Sequence, residues 1–160
     1  MSGIAAGFSP TEVYAAGTRG VVSMPHSLGD IRHINEKAYI FAQADGAITA
    51  NDVCLVDASN QADQLDTTNS GSGFGLRCGV AAATLADNEY GWVQIYGPCT
   101  VNVATSCAAN TALNSTATAG RIDDDATSGA EVVSGLVTTA AEASNTAAAY
   151  LNYPTVGATL

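Results

Sequence analysis

The stretch Tyr90-Gly91-Trp92-Val93-Gln94-Ile95-Tyr96-Gly97-Pro98-Cys99-Thr100-Val101-Asn102-Val103 carries the clearest secondary-structure signal in the chain. Its first half alternates. Trp92, Gln94 and Tyr96 fall on one face, and Val93 and Ile95 fall on the other. Alternation with period two is the mark of a β-strand with two different faces. Gly97-Pro98 predicts a turn there, and Val101 and Val103 continue the apolar side, so the stretch is expected to be a hairpin.

Further strand signals lie on both sides of it. Ala38–Ala44 is rich in aromatic and β-branched residues, and Asp45-Gly46 after it is a turn signal. Asp52–Asp57 holds a short apolar run between polar residues, which fits a strand buried on both faces or a piece of buried helix. Residues 58–75 are polar and rich in Gly, Ser, Asn and Asp, and predict a long surface loop. Gly75–Ala83 is again strand-like, and Asp87-Asn88 is a turn. Ala112-Leu113 and Gly120-Arg121-Ile122 are short segments around the acidic turn Asp123-Asp124-Asp125. Glu131–Thr139 and Thr146–Leu151 close the series, separated by Glu142-Ala143-Ser144-Asn145. Residues 140–149 are Ala-rich and fit a helix on propensity alone. Val132, Val133, Val137, Thr138 and Thr139 are β-branched and favour a hairpin. About eight short strands at this spacing predict an all-β barrel or sandwich.

The 160 residues support one domain with an appended segment. Ala occurs 30 times and Gly 16 times, while Lys and Arg together number 5. Long helices draw on Glu, Lys and Leu, so this composition suits short strands and small-residue turns. Charge divides unevenly. Residues 1–40 hold Arg19, Arg32 and Lys37 against Glu12, Asp30 and Glu36, and are neutral. Residues 41–160 hold Arg77 and Arg121 against twelve acids, and carry the whole net charge of −10. Five cations cannot neutralise much phosphate backbone, which argues against nucleic acid and against an anionic membrane surface. No segment reaches the run of about 18 apolar residues that spans a bilayer, and Met1–Phe8 lacks the basic and apolar regions of a secretory signal. Residues 1–36 show no sustained period and are broken by Gly3, Gly7, Pro10, Gly17, Gly20, Pro25 and Gly29. They read as an extended arm on a body of residues 37–160. The alternative is a set of loops covering one end of a barrel.

No catalytic, cofactor or metal site emerges. Cys54, Cys78, Cys99 and Cys107 form no Cys-x-x-Cys pair and suit small buried hydrophobes, with Cys99 and Cys107 the pair to watch for oxidation. His26 and His33 both lie in the unpatterned arm, away from a held nucleophile. Gly71-Ser72-Gly73-Phe74-Gly75 matches neither a nucleophile elbow nor a phosphate-binding loop. Asp123-Asp124-Asp125 departs from the EF-hand spacing. Asn114-Ser115-Thr116 matches a glycosylation acceptor, with no secretory context to give it meaning. Trp92 and Tyr96 are most simply core. On a barrel with a small-residue interior they would instead mark a subunit or partner interface with Gln94 between them.

Three motifs add a resemblance. Lys37-Ala38-Tyr39-Ile40-Phe41-Ala42-Gln43-Ala44-Asp45-Gly46-Ala47-Ile48-Thr49-Ala50-Asn51-Asp52-Val53, then Tyr90–Pro98, then Tyr150-Leu151-Asn152-Tyr153-Pro154 resemble the small capsid decoration (cement) proteins of tailed bacteriophages. The resemblance implies a β-rich fold, no enzymatic activity and no cofactor. It also implies a homotrimer on the outer capsid surface of the virion, bound to the major capsid protein. By position it gives the arm a clamping role. The residues expected to face a partner or subunit are Arg19, Arg32, His33, Trp92, Gln94 and Tyr96. The rival expectations are a head-fibre base or tail component, and a carbohydrate-binding β-module using Trp92, Tyr96 and Tyr90.

Overall fold

The computed structural model describes residues 8–17 and 24–157. Ten strands follow one another: β1 (Ile31–Ile34), β2 (Lys37–Ala44), β3 (Val53–Val56), β4 (Gln61–Gln64), β5 (Arg77–Ala81), β6 (Tyr90–Asn102), β7 (Leu113–Ser115), β8 (Ile122–Asp123), β9 (Val132–Thr138) and β10 (Thr146–Val156). One helical turn, α1 (Thr67–Ser70), follows β4. The expected all-β barrel or sandwich is what the chain forms, with ten strands among the described residues in place of about eight.

The strand pairings close two rings that share β6. In the first ring β2 pairs β4, β4 pairs β3, β3 pairs β5, β5 pairs β6, and β6 returns to β2. In the second, the C-terminal half of β6 pairs β10, then β9, β7 and β8 follow. A parallel bridge from Ile122 to Val103, the residue after β6, completes it. A five-stranded ring has a narrow bore, and it fills with small side chains. Ala38, Ala42, Ala44, Ala62 and Ala81 line it with Ile40, Cys54, Val56, Val93 and Ile95. The alanine-rich composition is in part the composition of this bore.

Strand alternation sends the remaining side chains to the two flanks of the ring. Val53 and Leu55 of β3 and Cys78 and Val80 of β5 face the core of the second ring, beside Val101, Leu113, Val133, Leu136 and Leu151. This is why the run at Val53–Val56 has no polar face. On the opposite flank Tyr39, Phe41, Tyr90 and Trp92 make a separate aromatic cluster, covered by Phe8, Tyr14, Met24, Leu28 and Ile34.

Three sequence expectations change. First, Tyr90–Asn102 is one strand, with no turn at Gly97-Pro98. Gly97 has φ +94°, and a Cβ there would stand 2.6 Å from the Glu36 carbonyl oxygen. The glycine therefore lets the strand pass close to the β1–β2 turn while its partners change from β2 to β10. Second, the loop expected at residues 58–75 contains β4 and α1. Asp66 caps that turn by accepting from the Thr68 and Asn69 amides, and Asn69 Oδ1 accepts from the Asp66 amide. Third, within residues 1–36, β1 is a strand of the sheet, joined to β2 by a two-residue turn in which Asn35 and Glu36 both have positive φ. The turn expected at Glu142–Asn145 does form, with Ser144 and Asn145 at φ +56° and +62°.

A buried carboxylate ties the two rings together. Asp52 accepts from the Thr49 amide, the Gln64 side chain and, at 2.8 Å, Asn102 Nδ2. Gly120, at φ +79°, lies against it where a Cβ would approach within 2.5 Å of the Asp52 carboxyl carbon.

Candidate partner-binding surfaces

The first surface is the aromatic flank and its cover. Over residues 8–15, Phe8, Pro10, Glu12 and Tyr14 turn inward and Ser9, Thr11, Val13 and Ala15 outward, with a turn at Pro10-Thr11 closed by the Glu12 amide donating to the Ser9 carbonyl. Met24, His26 and Leu28 repeat that alternation. Tyr14 exchanges backbone hydrogen bonds with Tyr90, both 2.9 Å. Phe8 meets Trp92 edge-on at 4.5 Å between centroids, and Tyr14 meets Phe41 at 5.8 Å. One oxygen of Glu12 accepts from both Trp92 Nε1 at 3.0 Å and His26 Nε2 at 2.8 Å. His26 is thereby held as a donor at Nε2. Its ring lies among Phe8, Tyr14, Phe41 and Trp92. His26 Nδ1 is buried with no hydrogen-bond partner among the described residues. Burial and the neighbouring Glu12 carboxylate push the Tyr14 phenol above its ordinary range.

The second surface is the edge of the sheet. β1 is the outermost strand of the sheet order and is exposed along Ile31, Arg32 and His33. Phe41 donates to the Asp30 carbonyl, which fixes the phase of the β1–β2 ladder. The alternation of an antiparallel pair then aims the backbone groups of Ile31 and His33 outward. Arg32 stands 3.7 Å from Asp30.

The third surface is a tyrosine cluster. Tyr96 stacks on Tyr153 at 5.2 Å and meets Tyr150 edge-on at 5.7 Å. Tyr150 and Tyr153 are 37% and 48% exposed, so the cluster opens to solvent. Tyr153 has φ +49°, at the register shift of β10 between Leu151 and Thr155. A bulky residue in left-handed backbone stores strain, which here aims a ring at the surface. The hydrogen bond with Tyr96, followed by burial, raises the Tyr150 phenol above its usual range.

The expected partner-facing residues therefore separate. Trp92 is 1% exposed and Gln94 6% exposed, both within the chain. Gln94 Nε2 is occupied by the carbonyls of Tyr96 and Pro98, both at 3.0 Å. Tyr96 is half-buried and does not share their face. Ala38 pairs Tyr96 and Tyr39 pairs Gln94, so Ile95 is a bulge. Ile95 and Tyr96 then both turn toward the core of the first ring. Arg32 and His33 lie on the β1 edge, and Arg19 lies outside the described residues. Phe8, Glu12, Tyr14, Tyr150 and Tyr153 were not singled out from sequence. The signal for Phe8, Glu12 and Tyr14 was a period of two over residues 8–14, hidden because two of its four inward positions are Pro and Glu, while Tyr150 and Tyr153 stood in the quoted motif Tyr150–Pro154 with no role of their own.

The remaining polar groupings are held by the chain itself. Cys107, Asp123 and Asp124 lie close together, and Asp124 accepts from the Ala108 amide at 2.9 Å, which lowers its carboxyl range. Burial raises Asp123 and pushes the Cys107 thiol up to about 11. The four cysteines are free thiols, and burial pushes Cys78 and Cys99 up to about 12. A cleft of about 330 Å³ beside Arg77 is lined by Val56, Asp57, Asn60, Leu76 and Thr155. Among the described residues no helix is long and apolar enough to cross a membrane.

No protein-family model matches the chain, and no curated protein matches it in sequence. Among solved structures, a chain in the capsid of Myoviridae phage XM1 is similar with a TM-score of 0.53, over 79% of this chain and 90% of that one, at 18% identity. At that identity the likeness is one of fold.

Proposed function

We propose that this chain is a structural virion protein that decorates a phage capsid, binding the outer surface of the major capsid protein shell as a homotrimer. The observation that carries the reading is the fold likeness to a chain of a phage capsid, which extends over nine-tenths of that chain. The motif resemblance at Lys37–Val53, Tyr90–Pro98 and Tyr150–Pro154 points the same way. The role is non-enzymatic and uses no cofactor, nucleic acid or membrane.

Two surfaces suit the docking. The β1 edge, with Arg32 and His33, offers backbone groups for strand addition to a shell protein. The tyrosine cluster offers rigid amphipathic rings of the kind that anchor protein contacts. Many symmetric copies hold a shell by avidity even where single contacts are weak. Antibody labelling of virions under the electron microscope checks the location. Uniform label over the head is expected. Label confined to a vertex or the tail would assign the chain to a fibre base or tail instead.

The exposed cluster of Tyr96, Tyr150 and Tyr153 also favours a second reading, a carbohydrate-binding β-module. Trp92 and Tyr90 are covered and drop out of it. A glycan array with a Tyr153→Ala control separates the two, since this reading requires specific binding that the substitution abolishes.

A further inference from the structure

We propose that residues 8–17 form an exchangeable strap, and that its seat, the aromatic flank of Tyr39, Phe41, Tyr90 and Trp92, takes the same strap from a second copy of the chain. The clause "from a second copy" rests on the oligomer in the functional reading above. The seat and the strap rest on the geometry alone.

The seat recognises the strap by side-chain chemistry more than by strand pairing. Phe8 fills the edge of the Trp92 ring, Tyr14 packs on Phe41, and the Glu12 carboxylate satisfies Trp92 Nε1 and His26 Nε2 together. Every one of these contacts is made by residues 8–14 of the chain, so any copy can supply them to any other. Exchange conserves the interface and needs no new complementary surface, which makes it a low-cost route to an oligomer.

The closed strap is also a displaceable element. It presents Ser9, Thr11, Val13 and residues 15–17 to solvent, with Val13 39% exposed. Its seating buries His26 Nδ1 without a partner among the described residues, and an unmet buried polar atom weakens the closed arrangement. Elements with few buried contacts and a local defect open before the core does. What opening uncovers is the part of the aromatic cluster under Phe8 and Tyr14, with the Trp92 and Phe41 rings foremost, while Met24, Leu28 and Ile34 stay in place. The body keeps its own two ring cores when the strap leaves, because the aromatic cluster is separate from both.

Trp92 is the sole tryptophan, so its emission reports the seat directly. The test uses two full-length variants. The first, Phe8→Ser with Glu12→Gln, keeps Trp92 and weakens the strap. The second, Trp92→Phe, has no tryptophan and keeps an intact strap. Alone, the first variant is expected to show red-shifted emission and easier acrylamide quenching than the wild type, with unchanged far-ultraviolet circular dichroism. Adding an excess of the second is expected to return that emission toward the wild-type position, because an intact strap from one copy seats on Trp92 of another. If the first variant keeps wild-type emission, the strap does not cover the seat. If its emission stays shifted after mixing, the strap does not exchange. Either result overturns the proposal. A failure to bind capsids would overturn the functional reading and leave this measurement untouched.

Discussion

Gly97, Asp52 and Cys99 each do work that their neighbours in the sequence do not advertise. Gly97 sits at φ +94° with the Glu36 carbonyl 2.6 Å from where a Cβ would be. Gly97→Ala is expected to cost about 2–3 kcal/mol, from left-handed backbone plus a clash with main chain that cannot move aside. Urea unfolding measures it, and an unshifted midpoint would contradict the close approach of Gly97 to the β1–β2 turn. Asp52→Ala leaves Thr49, Gln64 and Asn102 without their acceptor, and about 3 kcal/mol is expected by the same measurement. Cys99 is half-buried with its thiol pushed up to about 12, so its thiolate fraction at pH 8 is roughly a thousandth of a free cysteine's. Native-state alkylation by iodoacetamide should be slow to that degree, and rapid labelling of Cys99 would contradict the burial that raises its thiol. Asp63 has its carboxyl raised, chiefly by partial desolvation beside its neighbours. A raised carboxyl favours the folded state below the ordinary aspartate range, and that favour is lost as pH climbs through the raised value. Asp63→Asn should therefore stabilise the protein at neutral pH and leave its stability in acid nearly unchanged, which thermal melts at two pH values compare.

Elements were legible where one residue pattern served one environment. β2, β3, β5 and β9 stand close to the expected stretches because most of their apolar and β-branched residues face cores. β10 begins at the expected residue and runs past it to Val156, since a register shift carries it through Asn152, Tyr153 and Pro154. β4 was hidden, since Gln61, Asp63 and Gln64 are polar and Ala62 alone is buried. The single strand β6 was misread as a hairpin because Gly97-Pro98 spells a turn. Its backbone pairs straight through with β10, Leu151 opposite Gly97 and Tyr150 opposite Pro98. Hidden too was the strap, whose inward residues include a proline and a carboxylate. The strap makes a prediction at this scale. The Tyr14 amide, bonded to the Tyr90 carbonyl, should exchange its hydrogen by local opening, well before the amides of β3. Equal protection of the two would mean that the strap opens with the whole fold.

At the scale of the molecule, the two rings explain the composition. A five-stranded bore takes alanines, the shared strand β6 needs a glycine where its partners change, and turns with positive φ take Asn and Gly. The charge division was legible in the sequence. The first 40 residues are neutral and the rest carry −10. The neutral part supplies the strap and the β1 edge, and the acidic part supplies most of both rings. How these parts sit together was not legible, because it depends on pairings between residues some 80 positions apart, such as Tyr14 with Tyr90. The central claim is that this body is carried on a phage head. Titration of the purified protein onto expanded heads that lack it, followed by sedimentation, tests that claim most directly. The account predicts saturable binding at one trimer per local three-fold position. Absence of the protein from the pelleted heads at all concentrations would contradict it.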